Sequence, residues 1–537
     1  MMKRRTWLKK FGMALMVVSL TAGCLSGCGS SSADADKETT AEASSDTEAA
    51  ADGMEMTFAD TQSPTTIDCA EAWNDWYTSR YGITETLYVL DENLAAQPLL
   101  CEKAENTDEN TWVLTLRDDV TFQNGEKMTA QTVKDCWERT AAQNARFQET
   151  LYIDTMEADG QTLTVKTTQP LPAFTSALTT PICGIYYVSE GMDPANNPTD
   201  MIGTGPYKIV SYDVKKKAVV ERYDGYWQGV PALKGATFNI IDDVSALTMA
   251  MQNGESDVTL TIPSTSLDLF RDNEDYIVDE KVGSRGHVIW FNYENELLAD
   301  AAVRKAMAMA IDKESYANVL NNGASVPATA IFPDNTAFGG STVKGYEYDV
   351  EGAKKLLADA GYEDTNGDGT LDKDGKELNF RICTYTTKAE LPLFAQAMAD
   401  AFSEIGIGLT IDAGAYDAVV EKQGNGDFDL MMVSMTMCPT GDPQYFSDLC
   451  LKSDGSSNYG HYSNAEVDEL ISQLDSEFDT EKRNELAIEI QQKVMDEAGY
   501  IVIGHAKFTN VLKKNVKNCP TNPSEYYLIN YQTTMAE

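Results

Sequence analysis

Five oxygen donors fall in one short run: Asp364, Asn366, Asp368, Thr370 and Asp372. They follow D-x-N-x-D-G with Gly369 at the sharp turn, the first half of a loop that could hold a structural Ca²⁺. The bidentate glutamate due at the twelfth position is absent; Gly375 stands there, and Glu377 falls two residues late. A metal-free polar turn is therefore an equal reading of the same residues. The only histidines are His287, His461 and His505, not in H-E-x-x-H spacing, and neither G-x-S-x-G nor G-x-x-x-x-G-K-[ST] occurs. Zincin, serine-hydrolase and P-loop chemistry lack their starting residues, and so few imidazoles disfavour direct capture of a bare metal ion. The pair Gly203 and Gly205 precedes Pro206 and a strand-like run rather than a helix, so it reads as a tight turn and not a phosphate cradle.

Ten cysteines are scattered without a C-x-x-C pair, which argues against a zinc ribbon. Cys438 and Cys450 are the closest candidates for a disulfide, with buried free thiols the preferred reading. Near the N-terminus, Lys3, Arg4, Arg5, Lys9 and Lys10 precede an apolar run over 11–20. That is the form of an export signal, too short to span a bilayer. Cys28 follows Leu25-Ser26-Gly27 and resembles the lipobox of bacterial lipoproteins; Cys24 fits less well because the leucine is missing. Signal 1–27, a diacylated Cys28 and a spacer to residue 53 are expected. The spacer carries no aromatic residue over 30–52, and at that length it reaches roughly 25–30 Å as a flexible coil.

Behind it lie about 480 residues, too many for one core, so two or three domains are expected. With 42 basic against 84 acidic residues the net charge is −42, which repels nucleic acid and anionic lipid head groups. In 111–121, Trp112, Leu114 and Leu116 alternate with polar neighbours as in a half-buried strand, and 129–140 puts Val133 and Trp137 on one helix face. Strands are also expected at 161–168, 217–223, 378–385, 408–411, 428–433 and 500–508. Helical spacing marks 301–320, 351–360, 391–405, 465–478 and 481–498, with Ser463 and Glu466 as a capping box. Helices alternating with short strands argue for an α/β lobe.

Several of these stretches resemble family 5 solute-binding proteins of ABC importers, which take up oligopeptides, dipeptides and nickel. They include NTDENTWVLTLRDDVTFQNGEKMTAQTVKDCWERT (106–140), IGTGPYKIV (202–210), ERYDGYWQGVPAL (221–233) and AAVRKAMAMAIDKE (301–314). VEGAKKLLADAGY (350–362), GDPQYFSDL (441–449) and HYSNAEVDELI (461–471) complete the order. The resemblance implies an α/β, bilobed fold of the periplasmic-binding-protein type (type II, cluster C) with an extra domain inserted in lobe one. Lobe one would comprise 54–90, 201–286 and 505–537, the insertion 91–200 and lobe two 287–504, with crossings near 287 and 504.

The function it implies is non-enzymatic: capture of a short peptide, or alternatively a nickel or other metal chelate, between the lobes. The protein would be a monomer, lipid-anchored on the extracytoplasmic face of a bacterial membrane, delivering ligand to the transmembrane subunits of an ABC permease without a cofactor. Passing closure to a membrane sensor is equally compatible, and a secreted hydrolase using cleft carboxylates is the rival of another class. Asp442 matches the aspartate that pairs with a ligand ammonium in dipeptide-binding relatives, or else it caps the turn before Pro443. Trp73, Trp76, Tyr77, Arg80 and Tyr81 match the stretch that lines the cleft. Arg80 could grip a ligand carboxylate or pair with Glu85. Trp290 and Asn292 at the presumed crossing could stack on and hydrogen-bond a bound main chain, with core packing the simpler role for Trp290. His461, in a loop near the cleft, is a candidate metal ligand. Relatives that bind nickel chelates carry an arginine where Ile182 stands here, which counts against a carboxylate-rich nickel chelate.

Overall fold

Inward-facing apolar residues at alternate positions build most strands of one large sheet in the computed structural model, which describes residues 53–536. Met56 and Phe58 point inward from β1 (Glu55–Asp60). Ala218 and Val220 do so from β3 (Lys217–Arg222), which pairs with β2 (Tyr207–Asp213). β4 (Gly235–Ile240) and β5 (Val258–Leu260) flank β1, both parallel to it. β6 (Tyr276–Phe291) is the longest strand. β7 (Asn379–Tyr385), β8 (Gly408–Gly414), β9 (Leu430–Thr436) and β10 (Tyr500–Lys513) follow. The sheet order is β8-β7-β9-β6-β10-β5-β1-β4-β3-β2, with Ser325–Pro327 added alongside β10. The signal segment 1–27, Cys28 and the spacer as far as residue 52 lie outside the described residues.

The molecule is bilobed, and two apolar cores correspond to the two halves of this sheet. One gathers Phe58, Trp137, Leu163, Tyr207 and Val258; the other gathers Val288, Met307, Phe394, Met432 and Ile501. β10 serves both, through Leu512 and Ile501, while β6 enters the second core at Val288–Phe291 and lays Tyr276 and Val278 on a smaller cluster around Phe270; the two strands run antiparallel to each other. Residues 276–282 of β6 pair with 507–513 of β10 on the first side, and 286–290 pair with 500–505 on the second. Between them the register breaks at 282–286. A Cβ on Gly283 would fall 2.0 Å from the Phe508 ring and 3.1 Å from Pro523 O. Glycine alone fits so close an approach.

A four-stranded antiparallel sheet, ordered Cys101–Asp108, Thr111–Leu116, Thr162–Thr167 and Ile153–Asp159, stands apart from the large one. Helix α2 (Ala130–Gln143) packs on it, started by a reciprocal cap between Thr129 and Thr132. In the later half, the helix expected over 301–320 stops at Met309, and Asp312 caps a new turn at Lys313–Ser315. Asn464 rather than Ser463 caps the helix Ala465–Leu474, its Oδ1 accepting from Glu466 N at 2.9 Å. Among the described residues, no helix is long and apolar enough to cross a membrane, and the eight cysteines are free and buried, Cys438 and Cys450 included.

Residues 521–527 form a strap over the break in β6. Thr521 N donates to Asp279 Oδ2 at 2.7 Å on one side. Tyr526 OH donates to Pro439 O at 2.9 Å on the other.

Candidate functional site

Register shows where the strands aim. β5 runs from Val258 to Leu260 opposite 512 to 510 of β10, that is, toward the break; its parallel neighbours β1 and β4 end with it at Asp60 and Ile240. From the other side β9 runs toward Thr436 opposite Arg285, with parallel β7 ending at Tyr385 and β8 at Gly414. Both halves therefore direct the carboxyl ends of their parallel strands at the same place, where open α/β sheets bind ligands.

Helix α1 (Asp75–Arg80) lies at this junction. A pocket lined by Asp60, Tyr77, Arg80, Tyr81, Phe238 and Leu260 opens beside it. Trp76 meets Tyr526 edge-on at 5.1 Å and packs against the second core. The Tyr81 ring lies tilted against that of Phe238, their centres 4.3 Å apart. The Arg80 guanidinium lies 5.4 Å from the Tyr77 ring centre and 5.7 Å from that of Trp76. Trp73 is exposed at the mouth, with the Arg146 guanidinium 3.4 Å from its ring centre. Arg146 in turn pairs with the buried Asp75 at 3.0 Å.

Arg80 does not pair with Glu85. Its Nε donates to Glu525 O at 2.8 Å, and its terminal nitrogens lie 3.6 Å from Glu525 Oε2 and 3.7 Å from Asp60 Oδ2. Glu525 also receives Arg285, whose Nη2 and Nε donate to Oε1 at 3.2 and 3.3 Å. Burial opposes the charge on Arg285, and the Glu525 carboxylate outweighs it, so the guanidinium pKa is raised. Burial raises Asp60 against the pull of Arg80, and burial lifts Tyr77 to about 12. Three buried polar atoms around the junction have no partner within the protein: Trp76 Nε1, Tyr81 Oη and Ser434 Oγ.

The other candidates lie elsewhere. Trp290 is buried in the second core, stacked on Tyr459 at 5.7 Å. Asn292 ties a turn, donating to Phe428 O at 3.0 Å and accepting from Glu294 N at 3.0 Å. Asp442 has both oxygens engaged: Arg483 donates to them at 2.6 and 3.2 Å, and Gln444 N donates at 2.9 Å. Its capping role is realised, and a buried arginine occupies the place foreseen for a ligand ammonium. His461 is exposed with φ of 60° and belongs to no metal-binding cluster among the described residues. Arg285, Glu525 and Tyr526 went unrecognised because sequence spacing carries no trace of contacts between such distant residues.

The acidic run at 364–372 closes on itself. Asp364 accepts from Gly367 N and Gly369 N at 2.7 and 3.0 Å, and Asp368 accepts from Thr370 N at 2.8 Å. The Asn366 amide nitrogen faces Asp368 and Glu377 at 3.0 and 3.1 Å, putting a donor where a cation would need an oxygen. Asp372 accepts from Thr365 N at 3.1 Å. Among the described residues, no three His, Cys, Asp or Glu side chains gather as a metal cluster. In this arrangement the run is a polar turn closed by its own hydrogen bonds.

Known proteins share both the sequence and this architecture. The solved structure of a nickel ABC transporter protein from Bacillus halodurans is 30% identical with a TM-score of 0.79, over 90% of this chain and 100% of that one. NikA from Staphylococcus aureus in complex with Ni(L-His)2 is 26% identical with a TM-score of 0.72, over 90% of this chain and 100% of its own. The oligopeptide-binding protein AppA from Bacillus subtilis is 28% identical over 359 residues, 65% of each chain. Residues 95–458 match the family described as bacterial extracellular solute-binding proteins, family 5 Middle. With the strand ends of two lobes converging on one charged and aromatic junction, the chain belongs to the family 5 bacterial extracellular solute-binding proteins.

Proposed function

We propose that this protein captures short peptides between its lobes and hands them to the membrane subunits of an ABC importer, tethered outside the cell by a lipid on Cys28. The observation that carries this reading is the convergence of both sets of parallel strand ends on the break in β6 and β10. The lobes are taken as 54–90, 201–286 and 505–537 against 287–504, with 91–200 inserted, and the crossings as the bending point. A ligand touching both lobes shifts the population toward closure only through contacts made in the closed state. Trp73, Trp76 and Tyr77 offer flat apolar surface to a peptide of any side-chain composition.

A metal chelate is the second reading, favoured by the nickel-binding relatives of similar length. Against it, Ile182 is fully buried in the first core, at the position where the resemblance implies an arginine for binding a carboxylate-rich nickel chelate. Thermal unfolding with pools of tri- to pentapeptides, beside nickel–histidine, separates the two. Peptides should raise the melting temperature by several degrees. A rise with nickel–histidine alone would replace the peptide reading by the second, and intact recovery of bound peptide would exclude a hydrolase.

A further inference from the structure

Two guanidiniums from different parts of the chain converge on Glu525. Arg80, from α1, donates to its main-chain oxygen and lies 3.6 Å from its carboxylate, whereas Arg285 donates to the carboxylate itself from β6, at the level of the strand ends of the second half. Arg285 also donates to Ser434 O at 3.2 Å, which fixes the plane of its fork. Glu525 itself belongs to neither set of strands; it hangs from the strap, with φ of 67°, a backbone conformation that side chains other than glycine rarely adopt. A carboxylate held beside arginine side chains is an arrangement by which proteins bind a carboxylate ligand. Here the chain supplies the carboxylate. The group is not sealed away: the side chains of Glu525 and Arg285 are 18% and 20% exposed.

We infer that Glu525 sets which charge the cleft accepts. Its carboxylate stands in the place of a ligand carboxylate, neutralising Arg285 and sharing Arg80 with Asp60, so an anionic ligand end is refused there and an uncharged or cationic one admitted. The inference rests on the junction being the ligand cleft, and deepens that reading by assigning its charge preference. E525Q keeps the side-chain shape and removes the charge, leaving two arginines to face the cleft.

Succinate, a small dicarboxylate, is the probe, titrated calorimetrically into the full-length wild type and E525Q at low salt. E525Q should bind succinate at least tenfold more tightly than the wild type. The gain should fall with added salt and vanish in the double variant R285M/E525Q. A folded E525Q no tighter than the wild type overturns the inference, as does a gain that survives loss of Arg285. If E525Q does not fold, E525D asks the same question by retracting the carboxylate one methylene, and must still bind succinate more tightly than the wild type. Peptide binding is read separately on the wild type. A succinate gain without peptide binding sinks only the peptide reading; peptide binding without a gain sinks only the role of Glu525.

Discussion

Arg483 holds Asp442 through two contacts, Nη2 to Oδ1 at 2.6 Å and Nε to Oδ2 at 3.2 Å, with the arginine side chain only 4% exposed. The same guanidinium donates to Leu474 O and Glu477 O, where one helix ends before the next begins at Thr480. The pair thus fastens the segment 441–446 to a helical hairpin. It is a structural bond.

Removing Asp442 should therefore cost stability before it costs ligand. D442A leaves a buried guanidinium without its counter-charge, a loss of about 3–5 kcal/mol. Chemical denaturation reads it directly. Unchanged stability with a selective loss of peptide affinity would instead return Asp442 to the ligand.

His505 is buried with neither ring nitrogen hydrogen-bonded by a side chain, beside His287 and Lys313. Burial, then the neighbouring His287 and Lys313, push its pKa down to about 3 from 6.5. Between those values the unfolded chain binds a proton that the folded chain refuses. Stability present above pH 6.5 is lost as the pH falls toward 3, by up to about 1.4 kcal/mol per pH unit. The variant H505F should lose that slope in urea titrations at pH 4–7.

Glu85 has the opposite sign. Burial lifts its carboxyl to about 7 from 4.5, against hydrogen bonds from Tyr226 at 2.7 Å and Trp227 at 3.4 Å. The folded chain keeps a proton that the unfolded chain has released, so this contribution is full below pH 4.5 and disappears as the pH rises through 7. E85Q, which cannot ionise, should gain stability relative to the wild type between pH 5 and 8.

Burial raises the pKa of every cysteine among the described residues; those of Cys101 and Cys383, at about 11, are raised least. A thiol reagent at pH 8 should find none of these eight in the native protein and all eight after denaturation. Fewer than eight on unfolding would reveal a disulfide.

The loop at 364–372 should stand without an ion. Chelator, or added calcium, is expected to leave the melting temperature unchanged. A shift of several degrees would show that the Asn366 amide turns to admit a cation.

How much the sequence disclosed follows from the range of the contacts involved. Local periodicity is enough for the helices that begin at Val350, Glu390, Ala465 and Thr480, since each buries one face within its own span. β6 defeats it, because Tyr276–Val282 is half exposed while Val288–Phe291 is buried on both faces, two patterns in one strand. The aromatic and arginine cluster at 73–81 was legible as a group, yet the partner of Arg80 lies 445 positions away. For Asp442 the sequence left turn cap and ligand partner open, because Arg483, which holds it, lies 41 positions downstream and no spacing rule joins them.

The paired crossing of β6 and β10 also restricts how the molecule can deform. Two hydrogen-bonded strands form a ribbon, stiff against shear in its own plane and compliant only across it. Gly283 thins that ribbon at one level, and the strap lies along the same level. In the capture proposed above, relative movement of the halves would thereby be confined to something near a single rotational degree of freedom, like a door on its pin rather than a ball in a socket. Each closing stroke would bring the same two walls face to face.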